Sequence, residues 1–203
     1  LKMLENLIQP FIIVFEGIDG SGKSTQASIV YELLKSKNID VKLLREPGST
    51  KLGESLRNIL KSEHLDPKTQ TFLIEASRSN MIQTEFKNFK GVIILDRFIY
   101  STIAYQGYGF GLDIMFLKAL NDFTIEPYKP NMVFLFDIDP LLSLDRIKRD
   151  KDVFEDLDFL KKVRDGYLKM AKEYNFYTID ASKSVDDITK EIKTILKNHN
   201  VIF

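Results

Sequence analysis

The stretch Gly17-Ile18-Asp19-Gly20-Ser21-Gly22-Lys23-Ser24 fits the pattern G-x-x-x-x-G-K-[ST]. Glycines at this spacing let a backbone wrap a phosphate without Cβ clashes. A helix opening at the end of such a loop adds backbone N–H groups and a positive N-terminus. Lys23 can then reach the β and γ phosphates of a nucleoside triphosphate, and Ser24 can ligate Mg²⁺. Thr25 continues the same turn. A second group with chemical promise is Asp96-Arg97, directly after the apolar run Val92–Leu95. The carboxylate can hold Mg²⁺ through water, and the guanidinium can bridge the phosphates of two substrates. A surface ion pair at a strand end would use the same two residues. Asp19 is out of keeping with a pure phosphate site, because a carboxylate repels phosphate. A sugar hydroxyl gives it a partner. No Asn-Lys-x-Asp guanine-reading motif occurs, which speaks against a GTPase.

These side chains need a scaffold, and short β-rich runs alternating with longer helical patterns supply one. Strands are expected at Phe11–Glu16, Val41–Leu44, Val92–Leu95, Met132–Phe136 and Phe176–Ile179. Several are continuously apolar, as strands covered on both faces are. Helices are expected near Ser24–Lys37, Leu52–Lys61, Lys68–Asn88, Leu112–Ile125, Leu141–Arg149, Asp156–Glu173 and Val185–Asn198. In the last, Val185, Ile188, Ile192, Ile195 and Leu196 share a face, and Ser184 with Asp187 resembles a capping box. The alternation predicts an α/β domain, a five-stranded parallel sheet with helices on both faces and right-handed crossovers. Residues 1–203 are read as one domain with a short lid at about 146–158, a charge-dense stretch without a long apolar run. Strand ends at the carboxyl edge face the ligand crevice, which puts Arg45 and Glu46 on the same edge as the phosphate loop.

Composition narrows the function class. The 29 basic and 29 acidic residues cancel, which argues against a sequence-independent nucleic-acid binder. There is no cysteine, so disulfides and thiolate chemistry are excluded. The early apolar run Phe11 to Phe15 is too short to span a bilayer. Leu1 to Pro10 lack a signal-peptide pattern, so a cytoplasmic location and no membrane partner are expected. His64 and His199 have no partner pattern, and the 15 phenylalanines are most simply core.

Several segments occur in a telling order: EGIDGSGKSTQ, REPGST (Arg45 to Thr50), EASRS (Glu75 to Ser79), DRFIYSTIAYQGYG (Asp96 to Gly109) and DASKS (Asp180 to Ser184). Together they resemble the bacterial thymidylate kinases, from Phe11 to about Ile195, with AYQGYG the most specific part. The resemblance implies a P-loop NTPase fold, homodimers and transfer of the γ-phosphate of ATP to dTMP with Mg²⁺, a step toward dTTP. It makes Lys23, Asp96 and Arg97 catalytic, and Ser24 and Asp96 the metal-holding pair. It assigns ATP to residues Gly17 to Thr25 and Arg146, with Ala181 and Ser182 in the loop that cradles adenine. It assigns dTMP to Asp19 (at the 3′-hydroxyl), Arg78 (at the thymine edge), Thr102, Tyr105 (crowding the sugar 2′ position) and Gln106. Arg45 is a phosphate-contact candidate, with a structural ion pair equally open.

Two departures stand out. Family members keep a catalytic cation either in the phosphate loop or in the lid, and here the loop offers only Gly20 and Ser21 beside Lys23. The lid then supplies it, from among Arg146, Lys148, Arg149 and Lys151, with Arg149 favoured; Val153 stands where relatives carry an arginine. The family also stacks a phenylalanine on thymine four residues before the base-reading arginine, where this chain has Ile74. Phe72 lies about 200° away on the helix and is a poor substitute. Another nucleoside monophosphate or deoxynucleoside kinase, or a nucleotide-binding module without catalysis, stays open on the residues alone.

Overall fold

Phe11–Glu16 (β1) is buried along its whole length, because it is the central strand of the sheet. The computed structural model describes residues 8–147 and 157–202. Val41–Arg45 (β2), Val92–Asp96 (β3), Met132–Asp137 (β4) and Tyr177–Asp180 (β5) complete a sheet of order β2-β3-β1-β4-β5, parallel throughout. Register brings the strand ends level: Phe15 pairs with Asp96 and Phe134, Arg45 with Asp96, and Asp137 with Asp180. The functional loops therefore leave one edge together.

Alternate residues of β1 feed two cores. Ile13 and Phe15 face one with Val30 and Leu34 of Lys23–Ser36 (α1), Val163 and Tyr167 of Leu157–Glu173 (α7), and Ile188 and Ile192 of Val185–Asn198 (α8). Ile12 and Val14 face the other, with Met81 of Pro67–Met81 (α3) and Ile125 of Ile114–Ile125 (α5). Helices thus cover both faces, as the apolar strands require. Lys51–Ser62 (α2) packs on α3, and Pro140–Arg146 (α6) on α7. Caps follow the residue types: Thr50, Asp66, Asp113, Asp139 and Ser184 each accept from a backbone N–H at the start of a helix.

Three expectations need correction. The helix predicted to run to Asn88 is α-helical only to Met81, then widens into a π segment, Ile82–Phe86, that buries both of its end residues. The stretch before α5 is helical too: Ile99–Thr102 (α4), then a second π segment, Ile103–Gly109. Its glycines and β-branched residues gave little helical signal. Packing on α7 overrides that propensity; a Cβ at Gly166 would lie 2.4 Å from the Tyr108 ring, so the two backbones approach closely. Nor are all phenylalanines core, since Phe72, Phe116 and Phe123 are exposed. Most of the expected lid, including Lys148, Arg149, Lys151 and Val153, lies outside the described residues.

Candidate active site

The loop after β1 is wound tightly enough to exclude a side chain at Gly20. Gly20 has φ +74°, and a Cβ there would lie 2.6 Å from the Ser143 carbonyl. Gly22 begins α1 without a capping side chain, which leaves the first N–H groups of the helix for a ligand. Lys23 is 4% exposed and donates weakly, at 3.4 Å, to the Ile18 carbonyl and to Asp19 Oδ1. Burial lowers its pKa, and Arg97 nearby lowers it further. Ser24 Oγ donates to Asp96 Oδ2, joining α1 to the end of β3. Among the described residues, Asp96 Oδ1 and Ser21 Oγ are buried without a partner. Buried acceptors are rarely left so, and here both lie where a cation and phosphate oxygens would satisfy them. Among the described residues no cluster of three or more His, Asp or Glu could hold a metal alone. Mg²⁺ suits such a site, because it keeps waters and substrate oxygens as ligands.

Beside the loop opens a cavity of about 500 Å³. Asp19 and Arg97 stand at its mouth, with Arg97 Nη2 2.5 Å from Asp19 Oδ1. Partial burial resists ionisation of Asp19, but Arg97 and Lys23 hold it well below the usual carboxylate range. Arg97 also donates to Tyr105 Oη at 3.3 Å and lies over its ring at 5.0 Å. The second π segment presents Tyr105 and Gln106 to the cavity, and the preceding α4 presents Thr102. Gln106 is 2% exposed yet makes no side-chain hydrogen bond to another described residue, so its amide is available.

Ile74 and Arg78, one helical turn apart on α3, form the far wall. Arg78 is 1% exposed and its donors are taken. Nε meets both oxygens of Glu46, Nη1 meets Glu75 and Asn121, and Nη2 meets Glu46 and Thr102. Burial pushes Glu46 up to about 7 against the pull of Arg78, and the Glu75 charge adds to the rise. The Phe98 ring, also lining the cavity, sits 5.5 Å from the Arg78 guanidinium. Phe72 points away, 56% exposed.

Most of the expected residues therefore converge, and one does not. Arg45 pairs with Glu54 at 3.0 Å outside the cavity. Arg57, which sequence reasoning passed over, lines the cavity instead and donates to the Pro47 carbonyl at 3.0 Å. Its signal was phase: Arg57 and Leu60 share a face of α2, and both face the cavity. On the other side of the loop Arg146 donates to the Ala181 carbonyl at 2.9 Å, and Asp180 folds the next turn by accepting from Ser182 N at 3.0 Å. The favoured lid cation, Arg149, lies outside the described residues.

A sequence profile described as Thymidylate kinase matches residues 15–192, most of the chain and all of this geometry. This chain belongs to the thymidylate kinase family. Among relatives, the thymidylate kinase of Thermosipho africanus is 41% identical over 197 residues, covering 92% of this chain and 98% of that protein. The probable thymidylate kinase of Methanocaldococcus jannaschii is 41% identical, covering 95% and 98%. The crystal structure of thymidylate kinase from Ehrlichia chaffeensis superposes with a TM-score of 0.78 at 35% identity, covering 93% of this chain and 98% of that one. The thymidylate kinase fold thus extends over both the phosphate loop and the cavity beside it, including the Ile74 wall.

Proposed function

We propose that this chain transfers the γ-phosphate of ATP to dTMP, giving ADP and dTDP, with Mg²⁺. The observation that carries the reading is the shared edge. A cavity with Asp19, Arg97, Tyr105, Thr102 and Gln106 in its walls opens directly beside the loop of Lys23 and Ser24. ATP lies on the loop, its base toward Ala181 and Ser182 and beside Arg146. dTMP enters the cavity base first. Its thymine edge meets Gln106 and Thr102, with Arg78 behind them, and its sugar packs on Tyr105. The 3′-hydroxyl donates to Asp19. Arg97 and Arg57 hold its phosphate in line with the γ-phosphate.

Phosphoryl transfer asks for position and charge neutralisation more than for covalent chemistry. Lys23 and Arg97 meet the charge that builds on the transferring group. Arg97 is preset for this, since Asp19 and Tyr105 hold its guanidinium before substrate arrives. Ser24 with Asp96 would hold Mg²⁺, which would supply charge neutralisation on the phosphates. A lid cation, for which Arg149 remains the choice, completes the set.

The reading places the enzyme in the cytoplasm, where ATP is available, as a homodimer. The mutually packed α3 and α5 expose Phe72, Met115, Phe116 and Phe123, an apolar face suited to a second copy. Among the described residues no helix is long and apolar enough to cross a membrane. The test is ADP release coupled to NADH oxidation, with Mg²⁺ and each monophosphate in turn. dTMP should support turnover above dCMP, dGMP and dAMP. Release with another monophosphate and none with dTMP would overturn the substrate; release with no monophosphate at all would overturn the kinase.

A further inference from the structure

The residue that stands between the two substrates sits in an awkward backbone. Arg97 has φ +70°, the left-handed region, which a side-chain-bearing residue rarely adopts. Its own N–H is pinned to the Phe15 carbonyl at 3.0 Å. What holds the turn on its other side is Glu16, the last residue of β1, fully buried and outside the reaction as described.

The Glu16 carboxylate collects four donors. Oε1 accepts from Phe98 N at 3.0 Å and Ser101 N at 3.1 Å. Oε2 accepts from Ser101 Oγ at 2.6 Å and Tyr167 Oη at 3.0 Å. Ser101 Oγ in turn accepts from Arg97 Nη1 at 3.2 Å. One carboxylate therefore fixes the backbone after Arg97, the start of α4, and the hydroxyl that aims the guanidinium. Tyr167 ties that carboxylate to α7 on the far side of the core.

We propose that Glu16, steadied by Tyr167, is a positioning residue for Arg97 that sets its guanidinium between the two phosphates. This rests on the reading of Arg97 as a phosphate-bridging cation. Glu16→Gln keeps shape but turns an amide N–H₂ toward one pair of donors. Tyr167→Phe removes one hydroxyl and keeps the ring, and so serves where the glutamine variant does not fold.

The test is a double-mutant cycle in kcat, with dTMP and ATP saturating. Glu16→Gln should lower kcat about tenfold or more, and Tyr167→Phe by a few fold, with dTMP KM moved less than about twofold. In an Arg97→Ala background each should cost less than about twofold, because the group they position is gone. A merely structural role would predict the same loss in both backgrounds. If Arg97→Ala lowers kcat sharply but the Glu16 and Tyr167 losses multiply with it, or are absent in the parent, the positioning inference falls and the role of Arg97 survives. If Arg97→Ala itself leaves kcat near normal, the phosphate-bridging role fails, and positioning with it.

Discussion

Ile74→Phe should tighten dTMP binding with little change in turnover. Ile74 is half-buried in the cavity wall, one turn from Arg78 on the same face of α3. A base that meets Gln106 and Thr102 in front of Arg78 must pass over it. Isoleucine offers dispersion and burial there, but no π face. Stacking is worth about 0.5–1.5 kcal/mol beyond area burial. A ring at this position should therefore lower dTMP KM roughly two- to tenfold. The gain is uniform binding, felt by ground and transition states alike, so kcat stays level. The cavity of about 500 Å³ leaves room for the larger side chain. The assay is initial rate against dTMP at saturating ATP, checked by calorimetric dTMP affinity and by melting temperature. Unchanged or weaker affinity in a well-folded variant would sink the reasoning, and so would a selective rise in KM from Phe72→Ala. The latter should instead act on self-association, because Phe72 is exposed.

Lys23→Ala should lower kcat roughly a hundredfold or more in steady-state turnover, the usual loss for a positioned charge on a transferring phosphate; near-normal turnover would make Lys23 structural. Asp96→Asn should raise the Mg²⁺ concentration for half-maximal rate about tenfold or more, whereas an unmoved Mg²⁺ titration would remove Asp96 from the metal. Glu46 binds its proton more tightly folded than unfolded, since its pKa rises from 4.5 to about 7. Its contribution to stability is complete below the unfolded value and is lost as pH rises through that window, up to about 3 kcal/mol. Urea midpoints at about pH 5 and about pH 7 should show Glu46→Gln with a flatter loss than the parent. Parallel curves would place the proton elsewhere.

The phosphate loop was legible because its chemistry is local. Gly17 to Ser24 are contiguous, and the strand before and helix after are periodic enough to read. Asp96 and Arg97 were legible for the same reason, a polar pair ending an apolar run. Arg57 was missed because its helical phase with Leu60 gains meaning only once α2 packs against α3 and turns that face toward the cavity. Arg78 is legible as a candidate substrate contact, and Glu75 lies one turn away on the same helix, but Glu46 and Asn121 reach it from two distant segments that no spacing rule connects. The helical turns from Ile99 to Gly109 escaped notice because their stability is tertiary, drawn from α7, and not from their own propensities.

The second π segment makes this part of the cavity sensitive to chain length. Phe110 N reaches the Tyr105 carbonyl at 2.9 Å, five residues back instead of four. Each such turn holds one residue more than an α turn. Removing a single residue between Ile103 and Gly109 would let the coil tighten to α geometry. Residues beyond the segment would then keep nearly their phase, because the deletion and the tightening offset each other, while those inside it would be re-spaced. Tyr105 and Gln106 could not both keep facing the cavity, even with all residue types retained. The stretch can therefore exchange one side chain for another far more easily than it can gain or lose a residue. An alignment gap inside it would mark a relative whose pocket is built differently.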